Sequence, residues 1–381
     1  MNPIYKFALL LLLMLWPITG GSQSVQLSQK ATVSVLTCGV GNEVYSLFGH
    51  TAIRINDPLL NIDIVYNYGA FDFETPNFVA RFSKGDLQYF VTADRFEDFI
   101  YTYHYDRRSV WEQELALSAS QKQQLFSELN TTMASDKKFY TYKFIDRNCT
   151  TMVVDILNRT LGSAVITKTD ATDATYREVL FPYFDNHFYE QLGTSIIFGT
   201  KVDQDATHIF LPLELMKGIG EAPYQNRPLL TSEKTWLKFD VPKPEGSWWN
   251  NGYTYVLLLT LIVIANSRIV NIAYLSFAAA IGLFFTVAGF YSYHGELAWN
   301  YNALLFNPVL FLLVFYLIKH NDRIVSFISQ FIIAGLFVYL ILMLNKVHLV
   351  IVLPIVAAHA IILGRYVLRF RKMGKGSTMP A

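Results

Sequence analysis

The sequence predicts an α+β domain followed by an all-α transmembrane domain of about five helices. Three observations carry this reading. The 381 residues are 52% hydrophobic and 16% charged, with mean hydropathy +0.28, too apolar for an ordinary soluble chain. Most of the charge lies before about residue 250 and most long apolar runs lie after it. Before 250, short β-branched runs alternate with helical spacing. After 250, the runs approach the roughly 20 residues needed to cross a bilayer. The net charge of +1 favours no particular partner, and no basic patch interleaved with aromatics points to nucleic acid. The two cysteines, Cys38 and Cys149, belong to no cluster with metal-ligand spacing, so neither a metal nor another cofactor is expected.

Residues 1–22 read as a secretory signal. Lys6 supplies the charged start, Phe7 to Ile18 the apolar core, and Gly20, Gly21 and Ser22 a cleavage zone. An uncleaved anchor helix is the alternative, and either way residues 23–248 are exported. Within them Ala31 to Thr37, His50 to Ile55, Asp63 to Tyr68, Leu87 to Thr92 and Val110 to Leu117 read as strands. Asp94 is a candidate cap for a helix carrying Phe96, Phe99, Ile100 and Tyr103. Ser118 with Gln121 forms a capping box ahead of Leu125 and Leu129. Residues 165–250 carry weaker signals. Lys238 to Gly246 reads as a linker, and Trp248 and Trp249 as an interfacial aromatic belt.

The chemistry concentrates at Asp146-Arg147-Asn148-Cys149-Thr150-Thr151. Met152, Val153, Ile156, Leu157 and Leu161 follow at the spacing of one helical face, and Gly162 stands where such a helix ends. Asp146 and Asn148 are both good caps, which puts Cys149 in or just before the first turn. There the unpaired N–H groups and the helix dipole favour a thiolate. A thiolate also needs a base, and His50, in Ser46 to Arg54, is the candidate. Asn67 on the next strand is a candidate to orient the imidazole, with Asp72 and Asp63 as alternatives. The Cys149 N–H, Asn148 or a tyrosine would stabilise an oxyanion. The bland readings are a structural histidine on a strand and a Cys38–Cys149 disulfide, which an oxidising compartment permits.

Residues 249–370 read as five spans near 250–266, 271–291, 303–318, 326–344 and 347–367, with 371–381 a basic tail. If the first domain is outside, Arg268, Lys319, Arg323, Arg365, Arg369, Arg371, Lys372 and Lys375 lie inside and only Lys346 lies out, a positive-inside pattern. The loop from Tyr293 to Asn302, with His294, then faces the same side as Cys149. It reads either as a solvated loop with interfacial aromatics or as part of a lipid-binding surface.

Ser46 to Arg54, Tyr66 to Phe73 and Asp146 to Thr151, in this order ahead of an apolar tail, resemble the signature blocks of the Lnb-type lipoprotein N-acyltransferases of the bacterial envelope. The resemblance implies a periplasmic domain similar to circularly permuted papain-like domains, with Cys149 as nucleophile and His50 as base. It implies transfer of an acyl chain from a membrane phospholipid, through a Cys149 thioester, to the α-amine of a diacylated lipoprotein. It also implies a multi-pass location in the bacterial inner membrane. Ser46, Arg54, His294 and Asn302 are candidate substrate contacts. A membrane-anchored papain-like hydrolase, acting on peptidoglycan or on a lipid or thioester, is the alternative for the same pair.

Overall fold

The computed structural model describes residues 25–185, 187–240 and 246–376. The expected signal segment and much of the expected linker lie outside the described residues. In chain order the first part contains β1 (Thr32–Cys38), β2 (His50–Asp57), β3 (Ile62–Ala70), α1 (Phe78–Lys84), β4 (Gln88–Arg95), α2 (Phe96–Tyr105), β5 (Val110–Leu115), α3 (Ala119–Met133), β6 (Phe139–Thr141) and α4 (Cys149–Leu161). There follow α5 (Tyr176–Leu180), α6 (Phe188–Ile197), α7 (Pro212–Glu221), the short ribbon β7 (Pro223–Tyr224) and β8 (Arg227–Pro228), and β9 (Leu230–Leu237). Among the described residues the main sheet has seven strands in the order β6-β4-β3-β2-β1-β5-β9, and every pair is antiparallel.

Strand alternation builds two cores, because successive side chains leave a strand on opposite faces. Val33, Val35, Ile53, Ile55, Tyr66 and Tyr68 pack with Leu125 and Leu129 of α3, Val153, Ile156 and Leu157 of α4, and Leu215 and Ile219 of α7. The alternate residues Leu36, Cys38, Ala52 and Val65 meet Phe96, Phe99 and Tyr103 of α2. His50 and Asn67 share the phase of Ala52 and Val65, so they lie on the α2 face. Gly49 fixes the entry to β2: its φ is +80°, and a Cβ there would sit 2.6 Å from the Cys38 carbonyl oxygen.

The second part holds α8 (Gly252–Ala265), α9 (Arg268–Tyr291), α10 (Leu310–Ile318), α11 (Asp322–Met343) and α12 (Leu349–Gly376). Five helices lie where about five spans are expected, but they differ in length. Three helices, α9, α11 and α12 as far as Lys372, are long and apolar enough to cross a membrane, whereas α8 is a shorter apolar helix of 14 residues. At 1.5 Å per residue α8 reaches only about 21 Å. The expected span at 303–318 is helical only from Leu310, since Tyr301–Ala303 is a 3₁₀ turn and Pro308 interrupts the stretch between them. That irregular backbone packs against α9 at Gly282, where a Cβ would fall 1.5 Å from the Phe306 carbonyl oxygen. Burial within protein is how non-helical backbone is tolerated at membrane depth.

The two parts are joined through polar contacts. Asp203 pairs with Arg177 at 2.7 Å and with Lys346 at 3.3 Å, and it accepts the Tyr301 hydroxyl at 2.8 Å. The Gly199 N–H donates to the Glu296 carbonyl at 2.7 Å. The loops at 292–303 and 344–348 therefore lie on the same side as the sheet domain.

Candidate functional site

The site forms where β2 begins, β3 ends and α4 starts. Asn148 is the cap of α4: its Oδ1 accepts the N–H groups of Thr150 (2.9 Å) and Thr151 (3.0 Å), and its Nδ2 donates to the Phe144 and Phe210 carbonyls at 2.8 and 2.9 Å. Every polar atom of that side chain is thus engaged in holding the turn, which leaves Cys149 at the first helical position.

Burial by itself pushes the Cys149 thiol up. The charge of His50, together with hydrogen bonds from His50, the Thr51 N–H and the Thr150 hydroxyl, outweighs it and holds the thiol below its ordinary range. His50 Nε2 lies 3.3 Å from Asn67 Oδ1, and Asn67 Nδ2 donates to Asp94 Oδ2 at 2.8 Å. Asp94 also accepts the Thr92 hydroxyl at 3.0 Å. With Nε2 engaged by Asn67, Nδ1 is the ring nitrogen left to serve the thiol. The array Cys149, His50, Asn67, Asp94 sets a thiol beside an imidazole that is held in turn by an amide and a carboxylate, an arrangement suited to attack on a carbonyl.

A tyrosine completes it. Tyr140 has its hydroxyl buried and without a partner. It flanks Gly69, where a Cβ would lie 3.9 Å from the Tyr140 oxygen and 3.8 Å from the Cys149 Cβ. Burial and then the Cys149 charge drive the phenol's pKa upward, so it stays an O–H donor beside the thiol. Next to the relay is a pocket of about 510 Å³ whose lining includes His50, Asn67, Phe71 and Tyr103 together with the charged Asp94, Asp98, Asp106 and Arg108.

The remaining candidates take other places. Asp72 is exposed, and its carboxylate accepts the Glu74 N–H at 2.8 Å in its own turn. Asp63 pairs with Arg54 at 2.8 Å, and Arg54 also bonds Glu112 and lies 3.3 Å from the Phe96 ring centroid. Arg54 is thus buried structure under α2. The buried hydroxyl of Ser46 donates to the Glu43 carbonyl at 2.9 Å. The His294 ring bonds the Phe82 carbonyl at 2.9 Å, and buried Asn302 accepts the Tyr339 hydroxyl at 2.8 Å. Cys38 and Cys149 are both free thiols, so no disulfide joins them.

Sequence reasoning gave Asp94 to the cap of α2. The cap is Arg95, without a side-chain bond, and Asp94 turns to Asn67 instead. The signal was available in the pairing of β3 with β4, since Asn67 opposes Thr92 and places Asp94 one diagonal away. Glu296 gave no signal. It is 1% exposed and accepts the Ile145 N–H at 3.1 Å, four residues before Cys149.

Fold and site together define an α+β domain with a cysteine and a histidine side by side, followed by apolar helices. Residues 23–181 match the family model of the Lnb N-terminal periplasmic domain, so this part of the chain is similar to that domain. No curated protein and no solved structure matches the chain.

Proposed function

We propose that the protein is a lipoprotein N-acyltransferase of the bacterial inner membrane, with residues 23–248 in the periplasm and the C-terminus in the cytoplasm. One observation carries the reading: a depressed Cys149 thiol in a relay with His50, Asn67 and Asp94, inside an Lnb-like domain docked on apolar helices. The order of a histidine strand before a cysteine helix agrees with a circularly permuted papain-like domain. The lone outside lysine of the charge pattern, Lys346, meets Asp203 of the sheet domain, which agrees with that orientation.

In the first step the Cys149 sulfur attacks an ester carbonyl of a phospholipid. The thiol proton passes to His50, and the Tyr140 hydroxyl and the Cys149 N–H face the oxyanion. The carbon–oxygen bond breaks, His50 returns the proton to the leaving alcohol, and a lysophospholipid departs from the thioester. In the second step the α-amine of an S-diacylglyceryl cysteine attacks the thioester and gives a proton to His50. The carbon–sulfur bond breaks and Cys149 is restored. The carboxylates of Asp98 and Asp106 in the pocket suit an approaching ammonium group.

The same charged lining residues favour a second reading, a hydrolase acting on a polar substrate such as a peptidoglycan fragment. Intact-mass analysis of the full chain with phospholipid separates the two. An adduct that hydroxylamine removes, that Cys149→Ser lacks, and that passes to a diacylated lipopeptide is the expected result. No adduct, together with cleavage of peptidoglycan fragments, would overturn the acyltransferase.

A further inference from the structure

α1 and the turn before it have no counterpart in the relay, yet they are unusually apolar for what they bury. The seven residues of α1 include Phe78, Val79, Ala80 and Phe82, and none of them is buried. Val79 is 74% exposed, and Phe73 in the preceding turn is 70% exposed. An isolated helix of two turns is not stable in water, and apolar side chains grouped on one exposed surface mark an interface.

The position of α1 says what covers it. The Tyr293 N–H donates to the Lys84 carbonyl at 2.7 Å, the Ser292 hydroxyl to the Ser83 carbonyl at 2.9 Å, and the His294 ring meets the Phe82 carbonyl. Gly85 closes the helix against His294, where a Cβ would come within 2.9 Å of the ring. α1 is therefore fastened to the outer end of α9, one of the three helices among the described residues that are long and apolar enough to cross a membrane. The last residues of α9, Phe290 and Tyr291, are widely exposed, as is Tyr293 just beyond. Lys84 lies 5.6 Å from the Tyr291 ring and 5.4 Å from the Tyr293 ring. Aromatics with an adjacent lysine at the end of a span are the usual furniture of the headgroup layer. The exposed face of α1 continues that surface.

A line of rings leads inward from it. Phe82 neighbours Phe78 at 6.3 Å between centroids, and Phe78 neighbours Phe73 at 5.1 Å and Phe71 at 6.0 Å. Phe71 neighbours Tyr89 at 5.3 Å, and Tyr89 neighbours Tyr140 at 6.4 Å. Phe71 lines the same pocket as His50 and Asn67. One aromatic path thus joins the membrane end of α9 to the thiol.

We propose that the segment 71–84 lies in the outer-leaflet headgroup layer and guides one acyl chain of a glycerophospholipid along Phe82, Phe78, Phe73 and Phe71 to Cys149. This rests on the acyltransferase reading for the destination of the chain, but not for the contact with lipid.

The test uses the full chain in vesicles of phosphatidylethanolamine and phosphatidylglycerol. Photo-crosslinking from p-benzoylphenylalanine placed at Val79 is expected to capture phospholipid. The same probe at Leu59, in the turn at the opposite end of β2 from His50, is expected to capture none. Phe73→Ser and Phe82→Ser are each expected to lower the ratio of long-chain to butyryl-ester acylation of Cys149 by about tenfold or more, since each removes apolar contact with the chain. Equal capture at Val79 and Leu59, or an unchanged ratio, would overturn the proposal. Capture at Val79 with no acylation of wild-type Cys149 by any ester would instead sink the acyltransferase reading and leave the membrane contact standing.

Discussion

The end of β1 and the start of α4 each carry a thiol, and the two behave in opposite ways. Cys38 closes β1 directly opposite His50. It is wholly buried, and burial drives its pKa up to about 12 despite a hydrogen bond with Tyr103 and the charge of Arg108. Cys149 also feels a strong desolvation, yet its pKa falls. The difference is the direction from which help arrives. At the end of β1 the backbone is already committed to neighbouring strands. At the first turn of α4 the helix begins, and His50, the Thr51 N–H and the Thr150 hydroxyl all face the sulfur. Reactivity follows the local supply of donors and positive charge, not proximity to the histidine in strand register.

That contrast can be broken at several points. Cys149→Ser is expected to abolish the acyl adduct, a loss of at least about 10³-fold, while Cys38→Ser retains it; equal losses in the two variants would erase the distinction. His50→Ala is expected to cost about 10² to 10⁴-fold in adduct formation. It should also move the midpoint of Cys149 alkylation by iodoacetamide upward. The sign follows from the depressed wild-type thiol. The wild type alkylates at lower pH than an unassisted thiol, and the variant loses that advantage as His50 no longer favours the thiolate. A midpoint indifferent to His50 contradicts the account. Tyr140→Phe is expected to lower the rate about 10²-fold, because a missing oxyanion donor costs that much, with little change in the alkylation midpoint. Asn67→Ala misorients the imidazole and is expected to cost about tenfold to 10²-fold, seen in the rate of adduct formation. The smallest effect belongs to Cys38: its replacement by Ser buries a new hydroxyl at a cost of about 1–3 kcal/mol in stability, readable as a lower thermal midpoint.

Much of the sheet domain was legible because its strands and helices obey their periods. The β2 strand is rich in β-branched residues and buried on both faces, α4 carries its apolar face on the 3.6-residue spacing, and Asn148 and Gly162 mark its ends with ordinary capping chemistry. Asn67 was within reach for the same reason, since strand adjacency places it near His50. Less legible were features settled by contacts far apart in sequence. The role of Asp94 depends on which neighbour it chooses, Tyr140 stands out only by lacking a partner, and α1 is too short for periodicity to reveal. In the membrane part, hydropathy found the apolar segments but not their geometry. Residues 303–309 are as apolar as a span yet are not a regular helix, because Pro308 and the packing at Gly282 decide the backbone there.

The bond between Glu296 and Ile145 spans 151 positions, and this imposes an order of events during synthesis. The turn that presents Cys149 leaves the ribosome long before its buried acceptor does, since chains emerge from the N-terminus. Its final support arrives only once α9 has been laid down and the loop behind it has returned to the sheet domain. A domain still waiting for that loop lacks the acceptor of the Ile145 N–H, four residues before Cys149. The turn that presents Cys149 thus gains its full set of bonds only after the loop behind α9 has been made.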